Sequence, residues 1–209
     1  MGRKKGKRRQ DHWGKKAKTE GYGARSVYKL EEIHRRFRVL PRRGGIVDLG
    51  CCPGSWSQFV RQRCGKGVQL VGVDNQPVEN YPGVFLHASV FEVTPEALKE
   101  SLGGGAKLVL SDMAPFTTGV RFTDHVRQLE LADQALALAV GCLQIGGDFV
   151  VKVFDGEDAQ AFVAKAKQHF SKVRRVKPEA TRNESVEFFL VCQAFKSPPP
   201  TTGKETETV

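Results

Sequence analysis

Two charged residues stand in sequence that is otherwise built to be buried. Asp112 follows an apolar run in Ser111-Asp112-Met113-Ala114-Pro115, and Lys152 interrupts another in Val150-Val151-Lys152-Val153-Phe154. A buried ammonium destabilises a fold unless it meets a carboxylate or gives up its proton. Lys152 therefore needs a partner, and Asp112 is the expected one. An amine oriented by a carboxylate in a dry cleft can draw a proton from an alcohol, which is general-base chemistry. Taken singly, each residue keeps an ordinary reading: Asp112 could cap the following turn, and Lys152 could reach solvent at a sheet rim.

A second constellation points to a small charged ligand. Asp48-Leu49-Gly50-Cys51-Cys52-Pro53-Gly54-Ser55-Trp56-Ser57-Gln58 leaves a strand-like run and opens a helical one. Gly50 and Gly54 let backbone approach a ligand, and Pro53 stiffens the turn. The spacing is G-x-x-P-G rather than the G-x-G-x-x-G that seats a pyrophosphate on a helix N-terminus. With an acid at the strand end, this loop suits a cationic ligand better than a diphosphate. Asp74 ends the next run, Val68 to Asp74, and can accept from a ribose diol. NAD and S-adenosylmethionine sites both use such an acid, so the loop decides, in favour of S-adenosylmethionine. Trp56 either lines the methionine end of that pocket or is a core aromatic. Cys51 and Cys52 read as small packing residues.

The elements that must hold these residues follow from the pattern. Gly45–Gly50, Val68–Asp74, Val84–His87, Lys107–Ser111, Asp148–Val153 and Ser185–Ala194 read as strands. Ala24–Arg38, Ser55–Arg63, Asp124–Leu143 and Asp158–Phe170 read as helices. Apolar strands alternating with helices imply βαβ units in a mostly parallel sheet covered on both faces. The fold class is α/β, doubly wound, with ligands beyond the carboxyl ends of the strands. Asp48, Asp74, Asp112, Lys152 and, in the last strand, Glu187 are the polar residues to expect there.

The charge balance names a partner. The 209 residues carry a formal net charge of +10. Residues 1–43 hold 16 Lys/Arg against 4 Asp/Glu, while residues 44–209 hold 17 against 19, so the excess belongs to one end. Residues 1–22 lack apolar periodicity and are expected to form a flexible basic arm. Residues 23–196 form the one domain, and the Pro/Thr-rich residues 197–209 a disordered tail. A cation cluster beside a near-neutral domain binds polyanions, nucleic acid above all. Arg25, Arg35, Arg36 and Arg38 extend that track onto the first long helix. No run is long and apolar enough to span a membrane; Ala135–Leu143, the longest candidate, contains Gly141. The charged start and five cysteines without zinc spacing (51, 52, 64, 142 and 192) fit reduced thiols in a cytoplasmic protein. His12, His34, His87, His125 and His169 are dispersed, so no metal is expected, and a monomer is the default.

Together these segments resemble a known family. DLGCCPGSWSQ, VGVD, SDMAP, VVKVF and TRNESVEFFLV, with ARSVYKLEEI near the start, look like the RrmJ/FtsJ-type ribose 2′-O-methyltransferases over about residues 20 to 196. The resemblance implies a single Rossmann-like, seven-stranded domain using S-adenosylmethionine and releasing S-adenosylhomocysteine. It implies a Lys-Asp-Lys-Glu tetrad of Lys29, Asp112, Lys152 and Glu187, with Glu184 as a nearby decoy. Cofactor contacts carry over to Gly54, Trp56, Asp74 and Asp112, beside the Gly50 already read from the loop. Ser89 stands where such proteins often have Asp and can still hydrogen-bond the adenine as a neutral group, and Phe116 stands where Asn is common. In that scheme Lys152 is the base, Asp112 orients it, Lys29 positions the hydroxyl or stabilises the developing oxyanion, and Glu187 holds a lysine. The implied substrate is RNA, a uridine of large-subunit (23S) ribosomal RNA in the assembling ribosome. A tRNA anticodon loop is the alternative substrate. A non-catalytic RNA-binding module and a nicotinamide oxidoreductase are the rivals from other classes.

Overall fold

The computed structural model describes residues 12–115, 118–182 and 185–196. The remainder of the basic arm (residues 1–11), the tail (197–209), Phe116 and Glu184 lie outside the described residues. The chain runs α1 (His12–Thr19), α2 (Val27–Phe37), β1 (Gly44–Leu49), α3 (Ser55–Cys64), a 3-10 turn (Gly65–Gly67), β2 (Val68–Asp74) and β3 (Val84–His87). It continues through α4 (Pro95–Leu102), β4 (Ala106–Ser111), α5 (Arg121–Cys142), β5 (Leu143–Phe154), α6 (Ala159–His169), β6 (Phe170–Val176) and β7 (Glu187–Phe195).

One seven-stranded sheet has the order β3-β2-β1-β4-β5-β7-β6. The first five strands pair in parallel, and β7 runs antiparallel to both β5 and β6. Parallel strands covered on both sides need apolar residues on both. Ile46, Leu70, Leu110, Val150 and Phe189 pack in the layer that includes Val27, Leu30 and Ile33 of α2 and Phe59 of α3. Their alternates Val47, Val71, Val109, Val151 and Leu190 pack with Leu98 of α4, Ala135 of α5 and Phe162 of α6. The switch between strand orders falls between β1 and β4, beside the ends that carry Gly50 and Asp112.

Three elements were not read from the sequence. Helix α4 has its signals in plain view: Thr94 Oγ1 accepts from the Ala97 amide at 3.2 Å, Pro95 opens the first turn, and left-handed Gly103 closes the helix. Strand β6 is an edge strand with mostly exposed side chains, FSKVRRV, so it lacks the apolar run of a central strand. Helix α1 corrects the expectation of a flexible arm through Tyr22. Ala17 is 2% exposed, Trp13 lies 5.0 Å from the Tyr28 ring, and Lys16 Nζ sits 4.3 Å over that ring. Two apolar residues one turn apart and a cation–π contact dock a helix whose composition reads as solvated.

Ala17→Asp places a charge in that contact and is expected to release α1 alone. Limited proteolysis N-terminal to Tyr22 should accelerate while the melting temperature falls by only a few degrees; an unchanged cleavage rate would show that α1 does not depend on this packing.

Candidate active site

Period-two alternation already sorts the polar residues. Lys152 pairs directly with Phe189 across β5 and β7, so both point into the layer shared with α2. Glu187 is two residues before Phe189 and shares that face. Asp112 continues the Leu108–Leu110 series one step past β4. Lys29, in the first turn of α2, faces the same layer and stands 5.5 Å over the Phe189 ring. Four side chains from α2, β5, β7 and the loop after β4 therefore meet at one end of the sheet.

Their contacts are specific. Lys152 Nζ donates to the main-chain oxygen of Asp112 at 2.6 Å and stands 3.0 Å from its Oδ1. Lys29 Nζ is 3.9 Å from the same Oδ1 and hydrogen-bonds to Glu187 Oε1. Lys29 and Lys152 are 7% and 6% exposed, so neither charge is left to water. Asp112 Oδ1 itself receives no aligned hydrogen bond, which leaves it an ion-pair centre with open acceptor capacity.

Beside this cluster lies a cavity of about 610 Å³ whose lining includes Gly50, Asp74, Ser89 and Asp112. Gly50 has φ +70, and a Cβ there would come 2.3 Å from Met113 Cγ, so another residue would be strained and would push the Met113 side chain aside. Asp74 Oδ2 accepts from Cys52 N and Oδ1 from Gln76 N, both at 2.8 Å, and each oxygen retains a lone pair toward the cavity. Ser89 faces the cavity with its Oγ accepting from Phe91 N at 3.3 Å. Two expected contacts are not part of this lining. Gly54, at φ +97, caps α3, and the Trp56 ring is a core aromatic, 3% exposed, donating to Ser26 O at 2.8 Å and lying 5.8 Å from Phe189. The structure places Trp56 in the α2–α3 layer, where its indole N–H finds a partner.

Asp48, expected at the ligand, is instead sealed under the loop. It is 1% exposed and accepts from Ser57 Oγ at 2.5 Å, which also meets the Tyr81 hydroxyl at 2.7 Å. Burial raises its carboxyl to about 7, with the Ser57 hydrogen bond opposing and the Asp112 and Asp74 charges adding to the rise.

Gln128 was missed. On α5 it occupies the apolar stripe of Ala132, Ala135, Leu136 and Ala139, is 1% exposed, donates to Lys152 O at 2.7 Å and accepts from Phe154 N at 2.9 Å. A buried amide in an apolar stripe was the available signal. It clamps the backbone that carries Lys152. Asp124 does similar work for the neighbouring loop, accepting from Thr118 N at 2.7 Å, Thr118 Oγ1 at 2.9 Å and Gly119 N at 3.2 Å. Those hydrogen bonds, the Thr118 amide first, hold its carboxyl below the usual value.

The profile of the FtsJ-like methyltransferases matches residues 22–195. The chain belongs to this family. It is a methyltransferase, and the fold and the ordered motifs anticipated above are those of the family. Its relatives include "Ribosomal RNA large subunit methyltransferase E" of Desulfosudis oleivorans, 44% identical over 190 residues, covering 90% of this chain and 91% of that protein. The protein of the same name from Oleidesulfovibrio alaskensis is 42% identical over 207 residues, covering 96% and 99%. Among solved structures, a Plasmodium falciparum chain described as a ribosomal RNA methyltransferase aligns with TM-score 0.74 at 26% identity, covering 83% of this chain and 98% of its own. Among the described residues no group of three metal-ligating side chains assembles, and no helix is long and apolar enough to cross a membrane.

Two outcomes follow for this FtsJ-like site. Because the Asp48 carboxyl rises from 3.8 to about 7 on folding, its protonated form contributes stability that is complete below about pH 4 and lost as pH rises through 7. Asp48→Asn should therefore melt higher than wild type by a margin that grows from pH 5 to pH 8; a margin independent of pH would refute the buried-acid account. Gln128→Met strands a carbonyl and an amide, costing about 2–4 kcal/mol in all, and should lower kcat more than it raises KM in single- and multiple-turnover assays.

Proposed function

We propose that the chain transfers the methyl group of S-adenosylmethionine to a ribose 2′-hydroxyl of large-subunit ribosomal RNA, at a uridine. The observation that carries this reading is the convergence of two buried lysines on one carboxylate oxygen at the rim of the cavity. The names of the relatives support ribosomal RNA over a tRNA loop. An RNA-binding module without catalysis would have no use for two ammonium groups removed from solvent.

The cavity residues fit the cofactor. Gly50 clears space for a close ligand, Asp74 presents carboxylate lone pairs to a ribose diol, and Ser89 offers a hydroxyl to the base. Asp112 lies between this cavity and the lysines, where its negative charge favours a sulfonium. When bound, S-adenosylmethionine supplies an electrophilic methyl group and leaves as S-adenosylhomocysteine.

The protein's own part is proton management. A ribose hydroxyl is a weak nucleophile while it keeps its proton. Lys152 acts in its amine form, reached when the resting ammonium releases a proton to solvent; its lone pair then takes the hydroxyl proton as the oxygen attacks, its direction fixed by the bond to Asp112 O and the contact with Oδ1. Lys29 places positive charge where the oxygen becomes negative, and Glu187 anchors it. The enclosed setting makes these charges count for more than they would in water.

Lys152→Ala should reduce single-turnover methylation by at least about 100-fold, the typical share of one acid–base group, while S-adenosylhomocysteine binding by calorimetry stays within a few-fold of wild type. Near-normal single-turnover rates would remove Lys152 as the base. Labelled cofactor offered with ribosomal particles, free ribosomal RNA and tRNA, followed by mapping of the modified nucleotide, tests the substrate; label confined to tRNA would overturn it.

A further inference from the structure

A second concave surface lies at the other end of the sheet. His34, Arg38, Leu40, Pro41, Arg42, Arg63 and Cys64 line a cleft of about 750 Å³ with no acidic residue. Arg38 and Arg42 precede β1, and Arg63 and Cys64 precede β2, so the cleft opens at the amino ends of those strands. Six residues of β1 at about 3.3 Å each place it roughly 20 Å from the catalytic cluster. Helix α2 connects the two, with Lys29 in its first turn and Arg38 as its C-cap.

Three exposed guanidiniums in one concavity repel one another. Every ion pair among the described residues lies elsewhere, and none joins Arg38, Arg42 or Arg63 to a carboxylate. Arg36, the neighbour on α2, is by contrast paired with Glu32. Arg38 also adopts φ 56, ψ 36, a left-handed cap that glycine enters without strain and arginine does not. A long cationic side chain thus occupies a position where local geometry favours none. His34 Nδ1 accepts from Leu40 N at 3.2 Å, and burial, then the charges of Arg63 and Arg38, hold its pKa below the ordinary imidazole value. The cleft is therefore dense in positive charge with no carboxylate at ion-pair distance among the described residues, although Arg63 also lies 5.8 Å over the Phe59 ring.

We infer that this cleft binds backbone phosphates of the RNA substrate several nucleotides away from the methylated ribose. The inference rests on RNA being the substrate. Arginine forks match phosphate oxygens, and contacts of this kind fix register without reading sequence. The RNA would be held at both ends of α2, so that its distal phosphates position the ribose at Lys152.

The test compares the triple variant Arg38→Gln, Arg42→Gln, Arg63→Gln with Lys167→Gln, Lys172→Gln, Lys196→Gln, which removes equal charge beside β6 at the far edge of the sheet. Binding of a ribosomal RNA fragment is measured across salt concentrations, with S-adenosylhomocysteine binding and thermal melts as controls of fold. The arginine variant should bind at least about 10-fold more weakly near 0.1 M salt, and its log–log salt slope should shrink by about 2 to 3, the count of lost phosphate contacts. The lysine variant should change the slope by less than about 1. By NMR, RNA should raise the His34 pKa of wild type as phosphates neutralise Arg38 and Arg63, and inorganic phosphate at equal phosphate concentration should not. Equal losses in the two variants, absence of RNA binding by wild type, or a His34 response to inorganic phosphate matching that to RNA would each overturn the inference. Binding is read without methyl transfer, so the two failures are distinguishable: a wild type that binds through these arginines but methylates no RNA would defeat the functional reading and reduce the cleft to an RNA-binding site that serves no methylation.

Discussion

A single carboxylate oxygen organises the site. Asp112 Oδ1 lies within ion-pair reach of two lysines that are almost wholly removed from water, and the second of these is also tied to Glu187. Two positive and two negative charges thereby compensate one another in a region where an unmatched charge would be expelled or neutralised. Two neighbours serve that balance: Gln128 grips the backbone under Lys152, and Phe189 gives Lys29 an aromatic floor. The arrangement is poised because the same four charges that satisfy each other also face a cavity.

Topology makes this balance possible. In a purely parallel sheet, the beginning of the last strand would lie at the far end from the ligand. Strand β7 runs against β5, so its first residue, Glu187, pairs with Phe154 at the carboxyl end of β5. The reversal brings an acid to an edge that parallel neighbours could supply only from their last residues. Alternation then aims Glu187, Phe189 and Lys152 at the layer where α2 delivers Lys29. Handedness and pleat together convert four distant stretches of chain into one cluster.

Much of this was legible in the residues themselves. A lysine inside VVKVF and an aspartate after KLVLS announced a buried pair, and the G-x-x-P-G turn announced a ligand loop. What escaped had physical reasons. Strand β6 is an edge whose charged side chains hide its pairing, and α1 is held by Trp13, Lys16 and Ala17 within a stretch whose net charge imitates an unfolded arm. Asp48 has the address of a ligand residue but not its exposure, because Ser57 on α3 closes over it. Trp56 carries the right type at the right spacing, yet its ring turns toward Phe189. Position along a strand is written in sequence; which side of a loop becomes the floor and which the wall depends on packing across layers.

The crowding between Gly50 and Met113 carries a final consequence. The turn after β1 and the loop after β4 touch so closely that a single added carbon on one would collide with the other. Although far apart along the polypeptide, the cofactor turn and the acid-bearing loop are in direct contact through the bare backbone of one and the side chain of the other. Any lineage enlarging the residue at position 50 would have to shrink or reroute position 113 in step, and with it the carboxylate next door.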